Sequence, residues 1–353
     1  MCIRDRLTIL SIAISLALLL GVERIRTEAR GSFANTISGT DLIVGARSGD
    51  INLLLYSVFR IGNATNNISW ESYQDIASQP VVEWSIPISL GDSHRGFRVM
   101  GTNSDYFRHY KFGSKRALEF AEGKPFESVF DTVLGADVAR ELGYALGDDI
   151  VIAHGAGSTS FVNHDDKPFK VTGILKKTGT PLDRTVHVSL EGIEAIHIDW
   201  QSGTRVPGRN IGPEQALQMD LQPEAITAFL LGLKSRVATF RLVREINEYP
   251  EEPLLAIIPG VTLQQLWELV SVVEVALLAV SICVVIAGKP TGKSWGLSEA
   301  DLAPVMKRLA QAEKNLGNVE FVIGQASTAD ETTQLLDKAG PDAPVLAICA
   351  DIF

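Results

Sequence analysis

Between Glu23 and Glu268 the chain has no cysteine at all, its three being Cys2, Cys283 and Cys349. A central body without cysteine cannot be held by a disulfide framework. A basic block is missing as well. Lys and Arg number 32 against 42 Asp and Glu, the formal net charge is −10, and the isoelectric point is near 5.2. Nucleic acid is therefore not an expected partner, because its recognition is driven by clustered cations that neutralise phosphates. The six histidines, His94, His109, His154, His164, His187 and His197, lie near Asp165, Asp166 and Asp199. None has the spacing of a zinc site, such as two histidines at i and i+4 with an adjacent glutamate. The His164-Asp165-Asp166 run before Lys167-Pro168 reads as a polar hairpin tip. No G-x-S-x-G elbow occurs, and Gly155, Gly157 and Ser158 have no histidine at a defined spacing. Catalytic residues and metal ligands are accordingly not expected, and the chain reads as a non-enzyme.

What the sequence does have is apolar residues gathered in two places. They make up 46% of the chain, with a mean hydropathy of +0.14. Leu7 to Val22 reads LTILSIAISLALLLGV without a charge, and Leu269 to Ala287 reads LVSVVEVALLAVSICVVIA with one acid, Glu274. A hydrocarbon core of ~30 Å needs ~20 residues of helix, so residues 7–22 and 269–287 are expected to be transmembrane helices, the first slightly short. A signal-peptide core is the competing reading of residues 7–22. It would require a small-residue cleavage site, whereas the charged stretch ERIRTEARGSFANTI follows directly. Glu274 within a bilayer either faces a protein interior or partner helix or snorkels to the surface. Trp267, at the entrance to the second run, is of the type that anchors at a membrane interface. Arginines flank the first run on both sides, so charge does not set the orientation.

Residues 23–268 between the runs alternate short strands with helices. DLIVGAR, VVEWSIPISLGD and GFRVMGTN read as strands, and SWESYQDIASQ reads as a helix with Ser69 as N-cap, Glu71 in the first turn and Pro80 closing it. From Thr132 follow a strand, a helix over ADVAREL, a glycine turn and strands around Val171, Ile174, Val186 and Val188. AITAFLLGLK, SRVATFRLVREINEY and PLLAIIPG then read as strand, helix and strand. The expected fold class is α+β: a βαβ-type lobe in two chain segments with a β-rich lobe inserted at about 113–215. Trp70, Trp84 and Trp200 are assigned to core packing.

The order of these blocks carries a resemblance. GTDLIVGARSG after the first apolar run, FRVMGTNSDYF, VLGADVARELGYALGDDIVIAHG, FKVTGILKKTGTPLDRTVHVSL and VTLQQLWELVSVVEVALLAVSICVVIAG together resemble the periplasmic core domain and second helix of MacB/FtsX-like ABC transporter permeases, over roughly Leu7 to Gly288. The resemblance implies a permease subunit of the bacterial inner membrane with its central domain on the outer side. It further implies a cytoplasmic ABC ATPase that binds the ATP, no cofactor in this chain, and a second permease subunit. The work done would be the movement or export of a lipoprotein, peptide or small molecule. A membrane-tethered extracytoplasmic sensor or scaffold without an ATPase is the alternative.

The resemblance stops at Gly288. Residues 288–353 read instead as a soluble α/β-like segment, with a helix capped by Ser298, and the opening MCIRDR resembles translated adapter sequence. The expectation is a chimeric frame whose native part is residues 7–288. AGKPTGKS, Ala287 to Ser294, matches a relaxed phosphate-binding loop in which Gly292, Lys293 and Ser294 would meet nucleotide. Trp295-Gly296 interrupts the helix that such a loop must open, and a coincidental loop is the preferred reading.

Overall fold

The computed structural model describes residues 21, 24, 36–155, 166–201, 204–205 and 211–271. The chain divides into two compact units, one formed by residues 29–264 and the other by residues 1–28 with 265–353. The expected spans at 7–22 and 269–287 lie outside the described residues, apart from Gly21 and the turn 269–271. Among the described residues no helix is long and apolar enough to cross a membrane. Residues 288–353, with the segment suspected to be foreign, also lie outside them.

The unit 29–264 is α+β. Its strands are β1 (Leu42–Ala46), β2 (Val82–His94), β3 (Phe97–Thr102), β4 (Phe120–Gly123), β5 (Asp131–Leu134), β6 (Phe169–Leu175), β7 (Thr185–Ser189), β8 (Ala228–Leu233) and β9 (Leu254–Ile257). They form one mixed sheet in the order β9-β1-β8-β2-β3-β7-β5-β6-β4. Short strands Asp149–Ile150 and Ala153–His154 pair beside β6 and β2. Helices α1 (Asp50–Leu54), α2 (Trp70–Ala77), α3 (Asp105–His109), α4 (Ala136–Leu142), α5 (Leu190–His197) and α6 (Thr239–Asn247) pack around the sheet, and α1 runs on into a π-helical turn at Leu55–Phe59. A further helix occupies residues 259–271.

The order β9-β1-β8-β2 is that of two split βαβ units. β1 and β2 run parallel with β8 antiparallel between them, and β8 and β9 run parallel around β1. Chain segments far apart in sequence thus make one half of the sheet. Residues 120–189, from the region expected to hold an inserted lobe, contribute β4 to β7. These strands extend the same sheet through the parallel pairing of β7 with β3, which matches Thr185 with Arg98 and Ser189 with Thr102. The region also carries α4, the helix expected over ADVAREL, and α5.

Burial on both faces explains why the central strands read as continuous apolar runs rather than as alternation. Leu42, Val44, Phe229 and Leu231 meet Tyr73 and Ile76 of α2 and Leu242 and Ile246 of α6 on one face. Ile43, Ala228 and Leu230 meet Leu53, Leu54 and Phe59 on the other. The helix ends follow local chemistry. Ser69 caps α2 by accepting from the Ser72 backbone N at 3.2 Å, and Ser189 caps α5 by accepting from Gly192 N at 2.9 Å. α6 buries Thr239, Leu242 and Ile246 and sets Arg241–Glu245 and Arg244–Glu248 pairs on its exposed side. The β2–β3 hairpin turns on Arg95 and Gly96, both at positive φ (47° and 86°), as a two-residue type I′ turn requires.

One contact ties the inserted strands to the helix between β5 and β6. Gly135, the N-cap of α4, lies so close to the 182–183 backbone that a Cβ would collide with the Leu182 carbonyl oxygen and meet that of Asp183 at 2.6 Å. The Asp183 carboxylate, itself buried, fixes that loop by accepting from Thr178 N at 2.8 Å, Thr178 Oγ1 at 2.8 Å and Gly179 N at 2.7 Å. Because backbone cannot yield as a flexible side chain does, Gly135→Ala is expected to lower stability to urea by about 1–3 kcal/mol. Gly212→Ala, where a Cβ meets nothing within 4 Å, should change it by less than ~0.5 kcal/mol. Equal effects of the two substitutions would show that the close approach is absent.

Candidate functional site

A cleft of about 280 Å³ opens where the 60–67 loop crosses the β2–β3 hairpin; Tyr56, Arg60, Asn63, Asn67, Leu90 and Arg98 line it. Two local features build it. The π-helical turn ends at Arg60, whose φ of 61° lies in the left-handed region and turns the chain into the loop. That conformation costs a residue with a Cβ roughly 1–2 kcal/mol. On the floor, β2 carries a bulge: Leu90 pairs with Met100 and Ser93 with Arg98, leaving Gly91 and Asp92 opposite the single residue Val99. Bulges re-aim neighbouring side chains, and Arg98 sits beside this one.

The two arginines are held by neutral groups. Arg98 Nη1 donates to Asn63 Oδ1 and Nη2 to the Gly62 carbonyl, both at 3.0 Å. Arg60 Nη1 donates to the Ser57 carbonyl and Nη2 to the Met100 sulfur at 2.6 Å, and a thioether is a weak acceptor. Among the described residues no carboxylate forms an ion pair with either. Desolvation, then the neighbouring Arg60 charge, lowers the pKa of Arg98.

The same arginine overlooks a buried aromatic cluster. His187, on β7, packs against Tyr106 and Phe107 of α3 with ring centroids 5.5 and 6.0 Å away. Its Nδ1 donates to the Val133 carbonyl at 3.2 Å, while Nε2 has no hydrogen-bond partner among the described residues. Burial first, and the Arg60 charge second, push the His187 pKa down to about 3. Burial also raises the pKa of Tyr106 and Tyr110.

The other singled-out residues are dispersed. His94 is buried at the β2–β3 hairpin, donating through Nδ1 to the Val151 carbonyl at 2.6 Å and lying 3.0 Å from the Tyr144 hydroxyl; desolvation lowers its pKa. His197 lies 3.6 Å from Asp92, and although desolvation opposes it, the Asp92 hydrogen bond and charge carry its pKa upward. His109 stacks on Trp84 at 5.3 Å. Asp166 and Asp199 both approach Lys167, which is wholly buried and 2.8 Å from the equally buried Asp199. That ion pair reads as internal structure, and Lys167 carried no signal in the sequence. Trp70 and Trp84 pack against the core as assigned. Trp267 lies in the 259–271 helix, half-buried. His164, Asp165, Glu274, Gly292, Lys293 and Ser294 lie outside the described residues, as do the side chains of His154 and Trp200. Among the described residues no group of three or more His, Cys, Asp or Glu is arranged to hold a metal ion.

Residues 7–247 match the model of a protein family described as the MacB-like periplasmic core domain. Among solved structures, the chain is similar to the periplasmic region of MacB from Actinobacillus actinomycetemcomitans, with 11% identity and a TM-score of 0.39, over 65% of this chain and 94% of that one. It is also similar to the extracellular domain of the ABC-type transporter YknZ from Gram-positive bacteria, with 12% identity and a TM-score of 0.35, over 62% of this chain and 99% of that one. No curated protein matches it.

The buried histidine generates a pH dependence. Its folded pKa lies below the unfolded value of ~6.5, so the unfolded chain takes up the proton first and stability falls as pH drops from ~6.5 towards 3. His197, raised by Asp92, acts in the opposite sense: its contribution is present below ~6.5 and fades as pH rises through its folded pKa. His187→Gln should therefore flatten the decline of urea stability between pH 6.5 and 5 by about one proton relative to wild type. An unchanged slope would mean that His187 is solvated.

Proposed function

The chain belongs to the family of MacB-like periplasmic core domains, and from that premise we propose that it is the permease subunit of an ABC transporter, anchored in the bacterial inner membrane with the unit 29–264 on the outer side. Residues 7–22 and 269–287 serve as its two membrane helices, Trp267 as an interfacial anchor, and Glu274 as a group facing a partner helix. ATP is bound and hydrolysed by a separate cytoplasmic ATPase, and two permease subunits act together. This chain needs no cofactor of its own. Hydrolysis moves the helices, and the outer unit turns that movement into displacement or export of a lipoprotein, peptide or small molecule.

One observation supports the reading beyond family membership. β1, the first strand, and β9, the last, are antiparallel neighbours, with Ile43 opposite Ile257 and Ala46 opposite Leu254. The chain therefore enters the sheet at Leu42 and leaves it at Ile257 from the same end. A domain carried on two membrane helices has to receive and return its chain on one side, and this pairing meets that requirement.

The test is biochemical. The protein, co-expressed with an ABC ATPase from the same genome, is expected to co-purify with that ATPase in detergent and to alter its ATP turnover. Isolation of the folded chain from membranes with no ATPase bound, and no effect on turnover, would refute the assignment.

A further inference from the structure

We propose that the cleft between the 60–67 loop and the β2–β3 hairpin is a binding site for a phosphoryl oxyanion, held between the guanidinium groups of Arg60 and Arg98. The protein carries a net charge of −10, and its exposed arginines 108, 140, 184, 241 and 244 each find a carboxylate within 4 Å, while Arg95 and Arg116 lie over aromatic rings. Arg60 and Arg98 have carbonyl, amide and thioether partners instead. Two cations lining one half-buried cleft repel each other, and an anion placed between them relieves that repulsion.

Donor capacity matches that role. A guanidinium has five N–H donors; Arg98 spends one on a backbone carbonyl and one on a side chain, while Arg60 spends one on a carbonyl, one on the Met100 sulfur and one on the Tyr106 hydroxyl, which leaves about three free on Arg98 and about two on Arg60. Planar forks of this kind recognise phosphate with paired charge-assisted bonds. A phosphoryl group, carrying close to two charges near neutral pH, matches the pair of cations better than a single carboxylate does. The cleft of about 280 Å³ has room for a small headgroup.

Free phosphate and a phosphorylated headgroup share this chemistry, and calorimetry separates them. The purified full-length chain would be titrated at constant ionic strength with inorganic phosphate and, separately, with glycerol 3-phosphate. Saturable phosphate binding is expected, weakened at least about ten-fold in Arg60→Gln and in Arg98→Gln and unchanged in Arg108→Gln. Tighter binding of glycerol 3-phosphate than of phosphate identifies a headgroup site; equal or weaker binding identifies free phosphate as the ligand. If Arg98→Gln loses its native circular dichroism, Arg98→Lys, which keeps the charge but loses the fork, must still weaken binding together with Arg60→Gln. No binding by wild type, or equal affinity in wild type and the folded variants, overturns the site.

Discussion

The parallel pairing of β3 with β7 is the constraint on which the rest of the unit depends. It joins strands built from residues 42–102 and 228–257 to strands built from residues 120–189, and so makes one sheet of what chain order would present as two bodies. A parallel pair has no hairpin to hold it and is stable only when both faces are covered. Here α5 follows β7 without a loop, and its Ile193 and Ile196 close one face against Phe97, Val99, Val186 and Val188. On the other face Met100 joins the cluster of Tyr106, Phe107 and Phe126.

The same register sets the electrostatics. Val186 lies opposite Val99 and His187 opposite Met100, which buries the imidazole beneath Arg60 and places Arg98 at the open end of the pair, beside the bulge of β2. The burial of the neutral histidine is thus a consequence of one strand alignment. A shift of one residue would exchange the two faces of β7, sending His187 to the side of Ile193 and the valines into the aromatic cluster.

Much of this was legible in the sequence where local chemistry decides. Ser69 as N-cap, the strand runs LIVGA and AFLLGL, the ADVAREL helix and the amphipathic TFRLVREIN helix all follow from caps and periodicity. Three helices did not, the short Asp105–His109 among them. LEGIEAIH starts directly from the end of a strand, with Ser189 serving as both strand residue and cap, so no loop announces it. The INLLLYSVF stretch is an apolar run whose period does not separate a buried helix from a buried strand. The cleft was hidden for a different reason. Arg60 and Arg98 belong to no motif, and they meet only because the hairpin, its bulge and the loop after the π-helical turn bring them together. Lys167 and Asp199 illustrate the same limit, since a buried ion pair between distant residues leaves no periodic trace.

The most direct measurement of the central claim is hydrogen exchange on the folded full-length chain, followed over the amides of residues 97–102 and 185–189 and over those of β1 and β8. A single continuous sheet predicts that the β3 and β7 amides belong to the slowest class and open together with β1 and β8 as denaturant is raised. Residues 120–189 opening as a separate unit, with the β3–β7 junction exchanging while β1 and β8 stay protected, would contradict it.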